Sequence, residues 1–293
     1  MIKQSNELRN STECYGENLY KLERDEKLLA EEKALYLQLY FSSLITPDMT
    51  FEKAAKSAIN GYNRLIAGAE EDGLWSEEKI ALCRMLADRY AGAPVFKRGF
   101  PTCPASAPIA LWGVHSISRV GYERFSALFH SVEKISLESF AEVCDFVSDQ
   151  SEAFGIVPLE NTTDGRLAAF YKMLDRSELK ICAVCDVEDP DTDTVTRLAL
   201  ISKVPYSFEG DFFRHMEFSL VVSEAQKRTE LLGIIEKMGF SLTSLFSLPL
   251  SYRENAGIET VRVSLANQSA VPFLIYLYLF CEDINILGFY IQM

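Results

Sequence analysis

Apolar positions in the first part of the chain recur at helical spacing. Leu19, Leu22, Leu28, Leu29, Leu35, Leu39 and Leu44 fall near three- and four-residue intervals with charged residues between them, which predicts one long helix over residues 18–45. Thr46-Pro47-Asp48 breaks the pattern. A second helix is expected over 50–71, behind the capping pattern Thr50-Phe-Glu-Lys. A third is expected over 76–92, through Ile80, Leu82, Leu86 and Tyr90. Three helices with short connections make an antiparallel helical unit.

Residues 93–108 read as a linker, because four of the ten prolines crowd there. Beyond it the period changes. Strands are expected over 109–112, 132–136, 153–157, 179–187 and 194–204, with helices over 119–130, 139–147 and 167–174. Alternating strands and helices argue for an α/β layer. The remainder runs strand 217–222, helix 225–238, strands 241–249 and 260–265, helix 270–281 and strand 284–291. That βαββαβ order is ferredoxin-like. The expected architecture is α+β and multidomain: a helical unit over 1–100, a single α/β lobe over 101–206 and a ferredoxin-like module over 207–293.

Composition narrows the function. At 293 residues, 48% hydrophobic and 24% charged, the chain can bury several small cores. A net charge of −13 opposes binding to nucleic acid and to anionic lipid. No apolar run is long enough for a membrane span, and the polar start has no signal-peptide character, so a cytoplasmic protein is expected. The seven scattered cysteines read as reduced thiols. Cys182-Ala-Val-Cys185 stands in an apolar run with no second ligand pair at metal spacing. It reads as core, and neither a metal nor a cofactor is expected.

Chemistry enters at Phe154-Gly-Ile-Val-Pro-Leu-Glu-Asn-Thr-Thr-Asp-Gly165. A strand end, a polar loop and a following helix place Glu160, Asn161 and Thr162 at a natural anion site. The string resembles the prephenate dehydratase signature G-[VI]-[VL]-P-[IL]-E-N-S-x-x-G, with Thr162 in place of Ser. Three further stretches follow the family's order. Thr194-Val-Thr196-Arg197-Leu198 resembles its N-x-T-R-F motif. Trp112-Gly113-Val114-His115-Ser116-Ile117-Ser118 resembles its opening G-P-x-G-[ST]-[YF]-S loop. Leu287-Gly288-Phe289-Tyr290 resembles the L-G-x-Y ending of the attached ACT regulatory domain. Asp25–Ala30 and Gly73–Glu78 look like fragments of the helical chorismate mutase that some relatives carry upstream.

The resemblance implies a protein of phenylalanine biosynthesis. Thr196 would donate a proton to the leaving hydroxyl of prephenate and Arg197 would supply charge. Glu160, Asn161 and Thr162 would hold substrate, and Ser116 and Ser118 would line the opening loop. A small aromatic carboxylate (prephenate, chorismate or phenylalanine) is the implied ligand, and a homodimer through the ACT domain the implied assembly. Read on their own, Thr196 is equally a strand residue, Arg197 a surface charge, Asn161 a turn cap, and Ser116 and Ser118 helix starters. The chain also departs from the family pattern. Val114 replaces Pro, the loop's second Gly is absent, Thr194 replaces Asn and Leu198 replaces Phe. Only 35 positions separate Asn161 from Thr196, where the family places a second lobe. The expectation is therefore a simple hairpin there, and dehydratase activity that is weak or lost. The alternative is a non-catalytic small-anion-binding or assembly protein on the same scaffold.

Overall fold

The computed structural model describes residues 2–46, 48–67, 76–90, 101–189, 193–208, 215–249, 257–265 and 268–293. By their contacts they form two compact units, Met1–Ala91 and Gly92–Met293.

The first unit holds α1 (Ile2–Ser43), α2 (Phe51–Ile66) and α3 (Ser76–Tyr90). The helix α1 begins sixteen residues before the expected start at 18, because the polar stretch ahead of Leu19 continues the helix without an apolar face to announce it. Thr50 is the N-cap of α2, but its side chain makes no capping bond. The expected ends of α2 and α3, at 71 and 92, lie outside the described residues. The buried residues of this unit include Leu37 and Phe41 of α1 and Ile45 after it, Phe51, Ala54, Ala58 and Tyr62 of α2, and Leu82 and Leu86 of α3. Burial of the leucine, isoleucine and phenylalanine side chains, each contributing about 1.5–3 kcal/mol, holds the bundle together.

The second unit is built on one mixed sheet flanked by helices. Its elements are β1 (Ser106–Trp112), α4 (Ser116–Ser126), β2 (Ser131–Leu137), α5 (Phe140–Asp149), β3 (Phe154–Asn161), β4 (Gly165–Arg166), α6 (Ala168–Arg176), β5 (Lys180–Glu188) and β6 (Val195–Ser202). They continue with β7 (His215–Val222), α7 (Ala225–Lys237), β8 (Ser241–Pro249), β9 (Gly257–Ser264), α8 (Val271–Phe280) and β10 (Asn285–Gln292). The strand order is β2-β1-β3-β6-β5-β10-β7-β9-β8, with β4 on β3. Every expected strand and helix is found, and β4 is added. The last four strands stand in the order β10-β7-β9-β8, which is the ferredoxin-like arrangement of a βαββαβ unit.

Two features position the site. First, β5 and β6 pair antiparallel from Lys180↔Ser202 to Glu188↔Val195, and the Asp189 N–H donates to the Thr194 carbonyl at 2.9 Å. They form the expected hairpin, with six residues at its turn. Second, β10 joins both halves, parallel to β5 and antiparallel to β7, with register shifts around Gly288. A Cβ at Gly288 would stand 2.3 Å from the Ile181 carbonyl oxygen. Only glycine allows that approach.

Apolar residues alternate between two layers. Leu198 and Leu200 of β6 join Ile109, Ile156 and Phe125 under α4. Ala199 and Ile201 join Val143, Val157 and Leu174 under α5 and α6. Cys182 and Cys185 both lie in the α4 layer, three residues apart on one strand. A bulge between Ile181 and Ala183 brings them to one face, and both are buried and free, as the core reading expects. Among the described residues no helix is long and apolar enough to cross a membrane.

Candidate functional site

The motif residues gather where β1 and β3 end, α4 begins and β6 begins. β6 runs antiparallel to β3, so Thr196 stands opposite Asn161. α4 returns over the sheet and presses on it at Gly121, where a Cβ would come within 2.4 Å of Leu198. One turn earlier on α4 is Ser118, and two residues earlier on the same face of β6 is Thr196. Both are buried, Ser118 fully and Thr196 at 5% exposure. Among the described residues the Ser118 hydroxyl has no hydrogen-bond partner. Ser116 is exposed at the first position of α4.

This end of α4 is electrostatically open. Its N-cap is His115, whose side chain caps nothing, and no acidic residue stands in the first turn. The uncompensated N–H groups and helix dipole favour an anion. His115 stacks on Trp112 with ring centroids 5.0 Å apart, and Phe140 closes on both rings edge-on. The buried nitrogens Trp112 Nε1 and His115 Nδ1 likewise have no hydrogen-bond partner among the described residues. Burial lowers the His115 pKa, against an opposing pull from Asp189, so the imidazole is neutral near pH 7.

Asn161 and Thr162 build the loop. Asn161 Oδ1 accepts the backbone N–H groups of Thr163 and Asp164, and its Nδ2 donates to Asp164 Oδ2 at 2.9 Å. Thr162 Oγ1 accepts the Val195 N–H at 3.1 Å, and the Thr162 N–H donates to the Val195 carbonyl at 3.0 Å. The loop is thereby tied to the start of β6.

Arg197 does not share the face of Thr196. Adjacent residues on a strand point to opposite sides, and Arg197 lies in the α5–α6 layer. There it forks onto Asp186, with Nε–Oδ1 at 2.8 Å and Nη2–Oδ2 at 3.0 Å, and reaches Glu160 Oε2 at 3.5 Å. Glu160, Arg197 and Asp186 stand in register across β3, β6 and β5. So Glu160 and Arg197 are brought together with each other, and Thr196 is brought together with Asn161 and the start of α4.

That charge row continues into the ferredoxin-like half. Arg262 of β9 donates to both Glu160 oxygens, at 2.6 and 3.3 Å, and its Nε donates to Glu217 Oε2 at 3.0 Å. Glu217 is fully buried and also accepts from Arg166 Nη2 at 2.7 Å and from the Tyr290 hydroxyl at 3.0 Å. The Arg166 guanidinium stands over the Tyr171 ring, 3.6 Å from its centroid. Three acids and three arginines thus alternate along one path that runs from the part-exposed Asp186 to the fully buried Glu217. For Asp186, the Arg197 hydrogen bonds hold the carboxyl below its ordinary range. For Glu160, burial pushes upward, but the hydrogen bonds and charges of Arg262, Arg197 and Arg166 outweigh it and the pKa falls. Sequence reasoning missed this network. Its signal was an acid, Glu217, and a base, Arg262, inside two otherwise largely buried strands, and the two are direct cross-strand partners.

The prephenate dehydratase family model matches residues 121–188, from the middle of α4 to the end of β5. The structure of prephenate dehydratase from Streptococcus mutans is 19% identical and superposes with a TM-score of 0.54, covering 64% of this chain and 100% of that one. GqqA, described as a novel type of quorum quenching acylase, is also 19% identical, with a TM-score of 0.51, covering 62% of this chain and 94% of its own. No curated protein sequence matches the chain. Residues 121–188 are thus similar to prephenate dehydratase in sequence, and the chain shares that enzyme's fold. The matched segment contains Glu160, Asn161 and Thr162 and ends before Thr196.

Proposed function

We propose that this chain is an aromatic amino-acid pathway protein of the chorismate mutase/prephenate dehydratase type whose dehydratase turnover is weak or lost, and which retains a small-carboxylate site. The observation that carries the reading is the division of the motif residues between two faces. Thr196 and Ser118 sit under the open N-terminus of α4, where a carboxylate gains from helix N–H groups. Arg197 and Glu160 are spent on each other, on Asp186 and on Arg262 across the sheet, so no motif cation is available beside the hydroxyl. A leaving hydroxyl at Thr196 would lack a fixed positive group to stabilise developing charge. The tight β5–β6 hairpin leaves the site walled by one lobe, and a one-walled site excludes water poorly.

On this reading residues 1–100 are a chorismate mutase-like helical module, and residues 207–293 an ACT-type module that shares its sheet with the α/β lobe. The outer edge of that sheet, β8, carries the exposed Leu242 and Leu245 and is the surface for ACT-type pairing. The alternative reading, a non-catalytic anion-binding or assembly protein, rests on the same pairing of Arg197. That one fold carries both a dehydratase and a described acylase is reason to argue function from the site alone.

The test is turnover and binding together. Purified protein is incubated with chorismate and with prephenate while phenylpyruvate is followed, and its melting temperature is read with prephenate and with phenylalanine. Slow or absent turnover with a ligand-induced rise in melting temperature supports the reading. Turnover at a rate typical of enzymes, abolished by Thr196→Ala, refutes the loss of activity. Neither turnover nor a shift refutes the retained site.

A further inference from the structure

Both stems of the loop that carries Asn161 and Thr162 are bonded to one ion pair of the ferredoxin-like half. The chain leaves β3 beyond Glu160 and returns through β4, a strand of two residues. Glu160 and Arg166, the two stems, are direct cross-strand partners. Opposite charges so placed ordinarily pair with each other. Here each reaches instead to a more distant partner. Arg262 donates to both Glu160 oxygens, and Arg166 Nη2 donates to Glu217 Oε1 at 2.7 Å. Glu217 and Arg262 are themselves cross-strand partners, joined at 3.0 Å. Two strand pairs, one from each half of the sheet, thus close a ring of alternating charge, with the Tyr171 hydroxyl 3.3 Å from Arg262 Nη2.

We propose that Arg166, Glu217 and Arg262 are positioning residues for that loop: through its stems they fix where Asn161 and Thr162 stand relative to Thr196. The inference rests on the carboxylate site proposed above. Stability does not account for the ring. Desolvation of buried charges offsets most of their attraction, so apolar side chains of similar volume fill such a space as well or better. Arg166 adds a cost, because its buried Nη1 has no hydrogen-bond partner among the described residues. What charged hydrogen bonds give and apolar contact does not is direction, since each fixes a distance and an angle together. The ring applies that direction at Glu160, next to Asn161, and at Arg166, next to Gly165, whose φ of +69° turns the chain back. Thr196 stands opposite Asn161 in the β3–β6 pairing, so a shift of the loop changes the opening between them.

Hydrogen exchange of the loop amides, read beside prephenate affinity by calorimetry, tests it in the full chain. The variants are Arg166→Gln and Arg262→Gln. The control is Arg228→Gln, which breaks a pair with the fully buried Glu259 in the same half. Glu259 lies three positions from Arg262 on β9 and so faces the opposite side of the sheet. The amides of residues 162–165 should exchange at least ~10-fold faster in both variants and at the wild-type rate in the control. Prephenate affinity should fall about 10-fold in Arg166→Gln and stay unchanged in Arg228→Gln, whatever their melting temperatures. Arg166→Gln alone decides the matter if Arg262→Gln does not fold. Loop exchange unchanged in Arg166→Gln, or raised equally in the control, overturns the proposal, as does a variant that binds prephenate as tightly as the wild type. A wild type that binds no prephenate refutes the carboxylate site itself, and loop exchange then decides whether the ring holds the loop.

Discussion

Arg262 ties the α/β half of the second unit to its ferredoxin-like half. It is 4% exposed and bridges Glu160 and Glu217, which lie on strands far apart in the sheet order. A buried ion pair contributes little net stability when intact, because desolvation offsets most of the attraction. Removing one partner strands a charge in a low-dielectric interior and is costly. Arg262→Met is therefore expected to lower the unfolding free energy by about 3 kcal/mol or more, read from urea denaturation. The acids of the network set a pH dependence. Asp186 and Glu160 both have depressed pKa values, so their contribution is present above the unfolded-chain carboxylate value, near pH 4, and is lost as pH falls through the folded value. Thermal melts between pH 2 and pH 7 should show a fall in melting temperature below about pH 4, and Asp186→Asn should blunt it. An equal acid response in the two proteins would remove Asp186 from the linkage.

Single elements depend on close backbone geometry. In β10 the bend at Gly288 lets one strand pair with β5 and β7 at once. A methyl group there meets backbone of Ile181, which has no rotamer to yield. Gly288→Ala is expected to cost about 2–3 kcal/mol and to loosen the β5–β10 pairing, seen as faster amide exchange on both strands. In the β3–β4 loop, Asn161 closes an Asx turn with three hydrogen bonds. Asn161→Ala should cost about 1 kcal/mol by the same denaturation measurement. If Asn161 also holds substrate, the substitution will abolish the ligand-induced shift by more than that loss of stability explains. A purely structural Asn161 will leave the shift intact once melting temperatures are compared with and without ligand.

For the whole molecule, the two units have separate cores, and this predicts separate unfolding. Calorimetry of the full chain should resolve two transitions, with Arg262→Met moving only the one that belongs to residues 92–293. A single transition shifted as a whole would show the units to be energetically coupled.

Much of the architecture was determined by the sequence alone. Apart from the two-residue β4, each strand and helix of the second unit is announced by its local sequence, since a buried strand or a packed helix needs a particular spacing or run of apolar residues. The hairpin after Asn161 follows from chain length, because 35 residues cannot hold another lobe. The motif Phe154–Gly165 located the end of β3, where Asn161 and Thr162 are found closing the loop. Tertiary structure alone decided which residues act together. Thr196 and Arg197 are neighbours in sequence but sit on opposite faces, because a strand alternates its side chains. Arg197 meets Asp186 and Glu160, and Glu160 meets Arg262 from 102 residues away, because the sheet brings both halves to the same layer. Local periodicity records which way a side chain faces relative to its neighbours. It carries no record of what stands opposite, and at this site the opposing charges occupy the arginine that the motif's resemblance assigns to a ligand.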